Sequence, residues 1–213
     1  FRRVLFRSLK PFLEKLENWE SSVSIQKINN LIKTEVTDKT FDPFVVLDHM
    51  QKSSIQPDIS TLNTLLDTTS RLKDHQNFNR LLELVCSEEV ESSLPSPNII
   101  TYNIILKGIN VELFRKDKDY DKNEVIIKTE KIINHMNKTE IKPNDISLNT
   151  IIDIMVDSKN FDQAWKYFDE MEIKYMIEPD IYTYSTLIKS IKNYEPDNKN
   201  IERVFEILKK IKS

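Results

Sequence analysis

The chain has 213 residues, 39% hydrophobic and 31% charged, with a formal net charge of −3; that suffices for one core or one stacked array, and it lacks the basic excess usual in phosphate-gripping proteins. A single glycine, Gly108, cannot build the glycine-rich turns of a dinucleotide or phosphate loop, which argues against the common nucleotide-binding α/β enzymes. A single cysteine, Cys86, rules out an internal disulfide or a multi-cysteine zinc site and is expected to be a small buried hydrophobe.

The chain opens on Phe1, and its first ten residues carry Arg2, Arg3, Arg7 and Lys10 without an acid, which fits a targeting remnant as well as an incidental start. Residues 9–20 place Leu9, Phe12, Leu13, Leu16 and Trp19 three and four apart, predicting a helix that caps one end of a stack, so 1–24 is set apart. Two short helices follow, over 25–34 and 42–52, the second opened by Asp42-Pro43 as a cap and first-turn pair. Helices are then expected over 59–72 and 78–91, ended by the prolines Pro95 and Pro97. The next pair, 99–114 and 124–137, is separated by the charged stretch 115–123, expected to be a surface loop. Ala164, Phe168 and Met171 share one face of a helix over 161–171, whose partner carries Ile146, Leu148, Ile151, Ile152 and Met155. A final pair begins at Ile181, its second helix carrying Ile201, Val204, Phe205, Leu208 and Ile211. No apolar run approaches the roughly 18 residues that span a bilayer, so no membrane insertion is expected.

One phrase organises these pairs. Pro57-Asp58, Pro97-Asn98, Pro143-Asn144 and Pro179-Asp180 are each followed by a polar residue, Asn63, Asn103, Asn149 and Ser185, and then by an aliphatic pair. Those pairs are Leu65-Leu66, Ile105-Leu106, Ile151-Ile152 and Leu187-Ile188, and Asn29 before Leu31-Ile32 marks an earlier copy. The prolines recur at intervals of 40, 46 and 36 residues, and such recurrence is the mark of a repeat architecture. A helical hairpin of this size cannot bury its own apolar face, so neighbours must stack into an all-α solenoid with units 25–58, 59–98, 99–144, 145–180 and 181–213. The Asp or Asn after each proline lies where a side chain caps a new helix, and capping alone would account for its presence.

The segments PNIITYNIILKG and FDQAWKYFDEMEIKYMIEPDIYTYSTLI resemble pentatricopeptide repeats over roughly residues 25–213. The resemblance implies a right-handed superhelix that binds single-stranded RNA, one base per repeat, on its concave side. It implies base-reading pairs Asn29 with Asp58, Asn63 with Asn98, Asn103 with Asn144 and Asn149 with Asp180, while Ser185 lacks its partner. By the family's pairing rule, Asn with Asp resembles a uridine reader and Asn with Asn a cytidine reader, so the implied ligand runs U-C-C-U. Ile100, Ile146 and Tyr182 match the family's base-stacking position, where Gln26 and Ser60 depart from it, and core packing is the other reading of the two isoleucines. The family's phosphate-binding basic residue is matched by Arg71 alone; Val111, Asp157 and Asn193 stand in the later copies.

The residues suggest no enzyme, although a catalytic domain beyond them stays open. His49, His75 and His135 are far apart and are expected on surfaces or interfaces rather than on zinc, and no cofactor or metal is implied. The expected partner is RNA, with other proteins of an organellar RNA or ribosomal complex, in a mitochondrion or plastid. The alternative is a protein–protein scaffold that has lost RNA, motivated by the charge balance and the missing basic positions.

Overall fold

A computed structural model describes residues 24–37, 41–87, 94–113, 122–192 and 198–212. Every regular element among them is an α-helix: α1 (Ile25–Glu35), α2 (Pro43–Lys52), α3 (Ile59–Arg71), α4 (His75–Val85), α5 (Ile99–Glu112), α6 (Lys122–Lys138), α7 (Asp145–Asp157), α8 (Phe161–Ile173), α9 (Ile181–Lys192) and α10 (Asn198–Lys212). The expected helix over 9–20, residue 193 and most of the 115–123 stretch lie outside the described residues; Lys122 and Asn123 belong to α6. The described residues divide into two compact units, one ending at Gly108 and the other beginning at Ile109.

In the first unit α3 packs against both α1 and α4; in the second, α7 packs against α6, α8 and α9, and α9 against α8 and α10. A first helix therefore touches its own partner and the first helix of the adjacent hairpin, the arrangement that lets small hairpins share one core. Leu65 and Leu66 fill it in the first unit, Ile151, Ile152 and Leu187 in the second, all fully buried. Ile28 and Ile32 do the same from α1. Glu112 is also fully buried, its carboxylate 2.7 Å from Lys128 Nζ, which lies 2.9 Å from Glu124.

Three expectations need correction. The helix expected over 78–91 spans His75–Val85, because Asp74 accepts a hydrogen bond from the Asn77 amide at 3.2 Å and opens it a turn early. Cys86 is the residue that closes that helix and is only half-buried, since a helix end protrudes from the packed layer. In α10 the buried stripe is Val204 and Ile207, whereas Phe205 is 60% and Leu208 39% exposed. Arg203 fixes that rotation: its guanidinium bonds the Asp169 carboxylate and lies 4.4 Å from the Trp165 ring centre.

With one glycine in the chain, helix ends fall to other residues. Ser54, Lys73, Glu140, Lys159 and Met176 adopt left-handed φ values of 55° to 64°. At Lys159 the closing bonds are Lys159 N to the Val156 carbonyl, 3.0 Å, and Asn160 N to the Met155 carbonyl, 2.8 Å, the reversal that ordinarily selects glycine. Gly108 instead sits inside α5, where a Cβ would lie 2.2 Å from the ring of buried Phe78. Its role is close approach between α4 and α5. Gly108→Ala is predicted to destabilise the chain by about 1–3 kcal/mol through overpacking. Lys159→Gly should stabilise it by about 0.5–1 kcal/mol, because relief of left-handed strain exceeds the entropy cost of glycine. Urea unfolding of both variants checks the opposite signs.

Candidate nucleic-acid interface

The residue after each repeated proline caps a helix through one oxygen. Asp58 Oδ1 accepts from the Thr61 amide at 2.7 Å and the Thr61 hydroxyl at 2.9 Å. Asn98 Oδ1 accepts from the amide and hydroxyl of Thr101, 3.0 and 3.1 Å, and Asn144 Oδ1 from those of Ser147, both 2.9 Å. Asp180 Oδ1 accepts from the Thr183 amide at 2.9 Å. In each case the Thr or Ser hydroxyl also receives the cap residue's own N–H, at 3.1 to 3.4 Å, completing a reciprocal capping box. Thr61, Thr101, Ser147 and Thr183 are capping positions that the sequence analysis did not single out. Their signal was a hydroxyl residue three after each Pro-Asp or Pro-Asn.

Two of the implied reading pairs are joined directly. Asn29 Nδ2 donates to Asp58 Oδ1 at 3.4 Å, and Asn149 Nδ2 lies 3.4 and 3.5 Å from the two Asp180 oxygens, long bonds that a ligand could replace at little cost. The Thr183 hydroxyl is 2.6 Å from Asn149 Oδ1 and 2.9 Å from Asp180 Oδ1, with one proton to give to either. Asn29 and Asn149 are consequently almost buried, at 4% and 9% exposure. Asn29 Oδ1 has no hydrogen-bond partner, and neither does the buried Oδ1 of half-exposed Asn63. Asn63 and Asn98 share one unit, whereas Asn103 lies in the first and Asn144 in the second. Ser185 is exposed, and its hydroxyl donates back to the Ile181 carbonyl at 2.7 Å, leaving it chiefly an acceptor.

Three residues before Asn103, Asn149 and Ser185, the side chains of Ile100, Ile146 and Tyr182 are 57%, 55% and 50% exposed. These large side chains at one register, each one turn before a polar residue, offer exposed surfaces on which planar rings can lie. Gln26 and Ser60 at the same register are exposed and polar. Arg71 is exposed and donates to the Val36 carbonyl at 3.1 Å, closing the end of α1 with one of its N–H groups. Among the described residues no group of three His, Cys, Asp or Glu could hold a metal, and no helix is long and apolar enough to cross a membrane.

Two comparisons of sequence identify what this geometry belongs to. Residues 143–193 match the PPR repeat family and residues 45–110 the pentatricopeptide repeat domain. The chain belongs to the pentatricopeptide repeat family. The fold agrees: the crystal structure of the pentatricopeptide repeat protein PPR10 from maize superposes with a TM-score of 0.59 at 17% identity, over 86% of this chain and 23% of that one. Among pentatricopeptide relatives, the mitochondrial 15S rRNA processing factor ppr3 of Schizosaccharomyces japonicus is 25% identical over 144 residues, 67% of this chain and 19% of that protein. The small ribosomal subunit protein mS79 (rPPR3b) of Arabidopsis thaliana is 28% identical over 124 residues, 58% of this chain and 28% of that protein. The chain thus spans less than a third of the length of either relative.

The caps also set the ionisation of the repeat ends. Burial pushes Asp58 up, but hydrogen bonds from the Thr61 amide and hydroxyl and from Asn29 outweigh it and hold the carboxyl below its ordinary 3.8. The Thr183 amide does the same for Asp180, against a smaller effect of burial. A depressed folded pKa means that the stabilisation is complete above the unfolded value and is lost as pH falls through the folded one. Native melting temperature is therefore predicted to hold from neutral pH down to the ordinary carboxylate range and fall below it. The Asp58→Asn, Asp180→Asn double variant should lose less on acidification, as thermal melts across pH will show.

Proposed function

We propose that this chain binds single-stranded RNA, one base to each repeat, through Asn29 with Asp58, Asn63 with Asn98, Asn103 with Asn144, and Asn149 with Asp180, with Ser185 as an unpaired reader. Ile100, Ile146 and Tyr182 take the base faces and Arg71 a phosphate. The observation that carries this reading is the cap. Because Oδ1 is held by the helix start, an Asn can offer only its amine donor to a ligand and an Asp only its second acceptor oxygen. An acceptor suits the N3–H of uracil, and a donor suits the N3 of cytosine. Guanine and adenine present the same polarity at N1, so the choice of pyrimidine rests on the family's pairing rule for Asn as the first partner. The ligand read from first to fourth repeat is U-C-C-U.

The role is that of an RNA-binding adaptor in RNA processing, stability, translation or ribosome assembly, and the mitochondrion is the compartment favoured by the Schizosaccharomyces japonicus relative. Catalysis is not assigned to these residues. One observation favours the scaffold reading instead: Asp157, at the register of Arg71, puts a carboxylate where a phosphate would lie. Burial and neighbouring Asp153 push its pKa up, against the pull of Lys189 and Lys122. Titration of labelled U-C-C-U-containing and purine strands at low salt separates the two readings, and equally negligible binding to both would leave the scaffold. Asp180→Asn should move preference at one position from uridine to cytidine by about 1 kcal/mol or more, the value of one base-edge contact. Because Asn caps as well as Asp, stability should barely change, which divides base reading from capping.

A further inference from the structure

One turn beyond each reader, at the fourth residue along the same helix, stand Lys33, Asp67, Lys107, Asp153 and Lys189. The sign alternates through all five first helices. An offset of four places each charge on the same face as its reader, and all are exposed except Asp153, which is half-buried. Asp67 makes no hydrogen bond or ion pair among the described residues, so the fold does not account for it. Asp153 accepts from Asn110 Nδ2 at 3.0 Å. Its charge also reaches the stacking position: the Tyr182 phenol is pushed up by burial and then by Asp153 and Asp157. The Asp153 carboxylate therefore acts on the Tyr182 position.

Resting on the RNA reading above, we propose that Asp67 and Asp153 are governors of affinity on the reading face. Phosphates passing the second and fourth repeats are repelled there, while Lys33, Lys107 and Lys189 attract those at the first, third and fifth. Sequence-independent attraction nearly cancels, and the base edges are left to decide what binds. Phosphate contacts supply most nonspecific affinity and carry no sequence information, so a face balanced in this way discards weak, indiscriminate binding rather than selectivity.

The test measures affinity for a U-C-C-U-containing strand and a purine strand over a series of salt concentrations, using the native chain, Asp67→Lys and Asp153→Asn. Asp153→Asn keeps an oxygen for Asn110, and thermal melts confirm that each variant folds. Both variants should tighten both strands by the same factor, and Asp67→Lys should steepen the slope of log affinity against log salt by about 0.7, one added single-strand phosphate contact. Selective binding by the native chain with unaltered affinity and slope in the variants overturns this inference and leaves the RNA reading standing. Tightening confined to the pyrimidine strand also overturns it, since the carboxylates would then act through a base. No binding by any of the three proteins at low salt removes the RNA reading and this inference with it.

Discussion

The structure depends on one small interaction made four times, the reciprocal hydrogen bonds between a Pro-Asp or Pro-Asn residue and the hydroxyl residue three positions later. A helix start leaves its first amides without partners, and at Asp58, Asn98 and Asn144 the cap residue is half-buried, where water satisfies them poorly. The carboxylate or amide oxygen answers that need, and the hydroxyl answers the cap residue's own N–H. Proline before it cannot continue the preceding segment as a helix. The boundary between repeats is thereby set to a single residue, and the stacking of first helices follows from that regular phase.

The same interaction leaves one polar atom of each cap residue uncommitted to the helix start. A cap residue held by one atom presents the other with a defined chemical character, acceptor for Asp58 and Asp180, donor for Asn98. The facing Asn29 and Asn149 are almost buried and already bonded to their carboxylates, so their conformational entropy has been lost in folding. The carbonyl oxygens of Asn29 and Asn63 are both buried with no partner, a costly condition, whereas that of Asn149 receives the Thr183 hydroxyl. Repeats of one family, on one fold, can thus differ in how much they gain from a ligand.

Second helices meet one another through contacts such as Arg203 with Asp169 and Trp165, and Arg80 stacked 3.8 Å over the Phe44 ring. The first helices carry the recurring polar residues and alternating charges on one side and the aliphatic core on the other. Charge summed over the molecule says little about the potential at one helix face.

The amino-acid sequence alone determined the helix pairs, their period and the polar position that recurs in each first helix, because these follow from proline, capping residues and aliphatic spacing, all local properties. Leu65-Leu66 and Ile151-Ile152 were legible as core for that reason. Only the tertiary structure decided where an apolar residue goes when both faces of a helix are possible: Ile100, Ile146 and Phe205 lie exposed, and Ile207 is buried, since neighbouring helices determine which stripe is covered. It also decided why the single glycine stands at 108, where the Phe78 ring leaves no room for a Cβ, and which oxygen of each cap is engaged. Contacts between residues distant in the chain cannot be read from periodicity, which records only how a segment would prefer to lie against an unspecified partner.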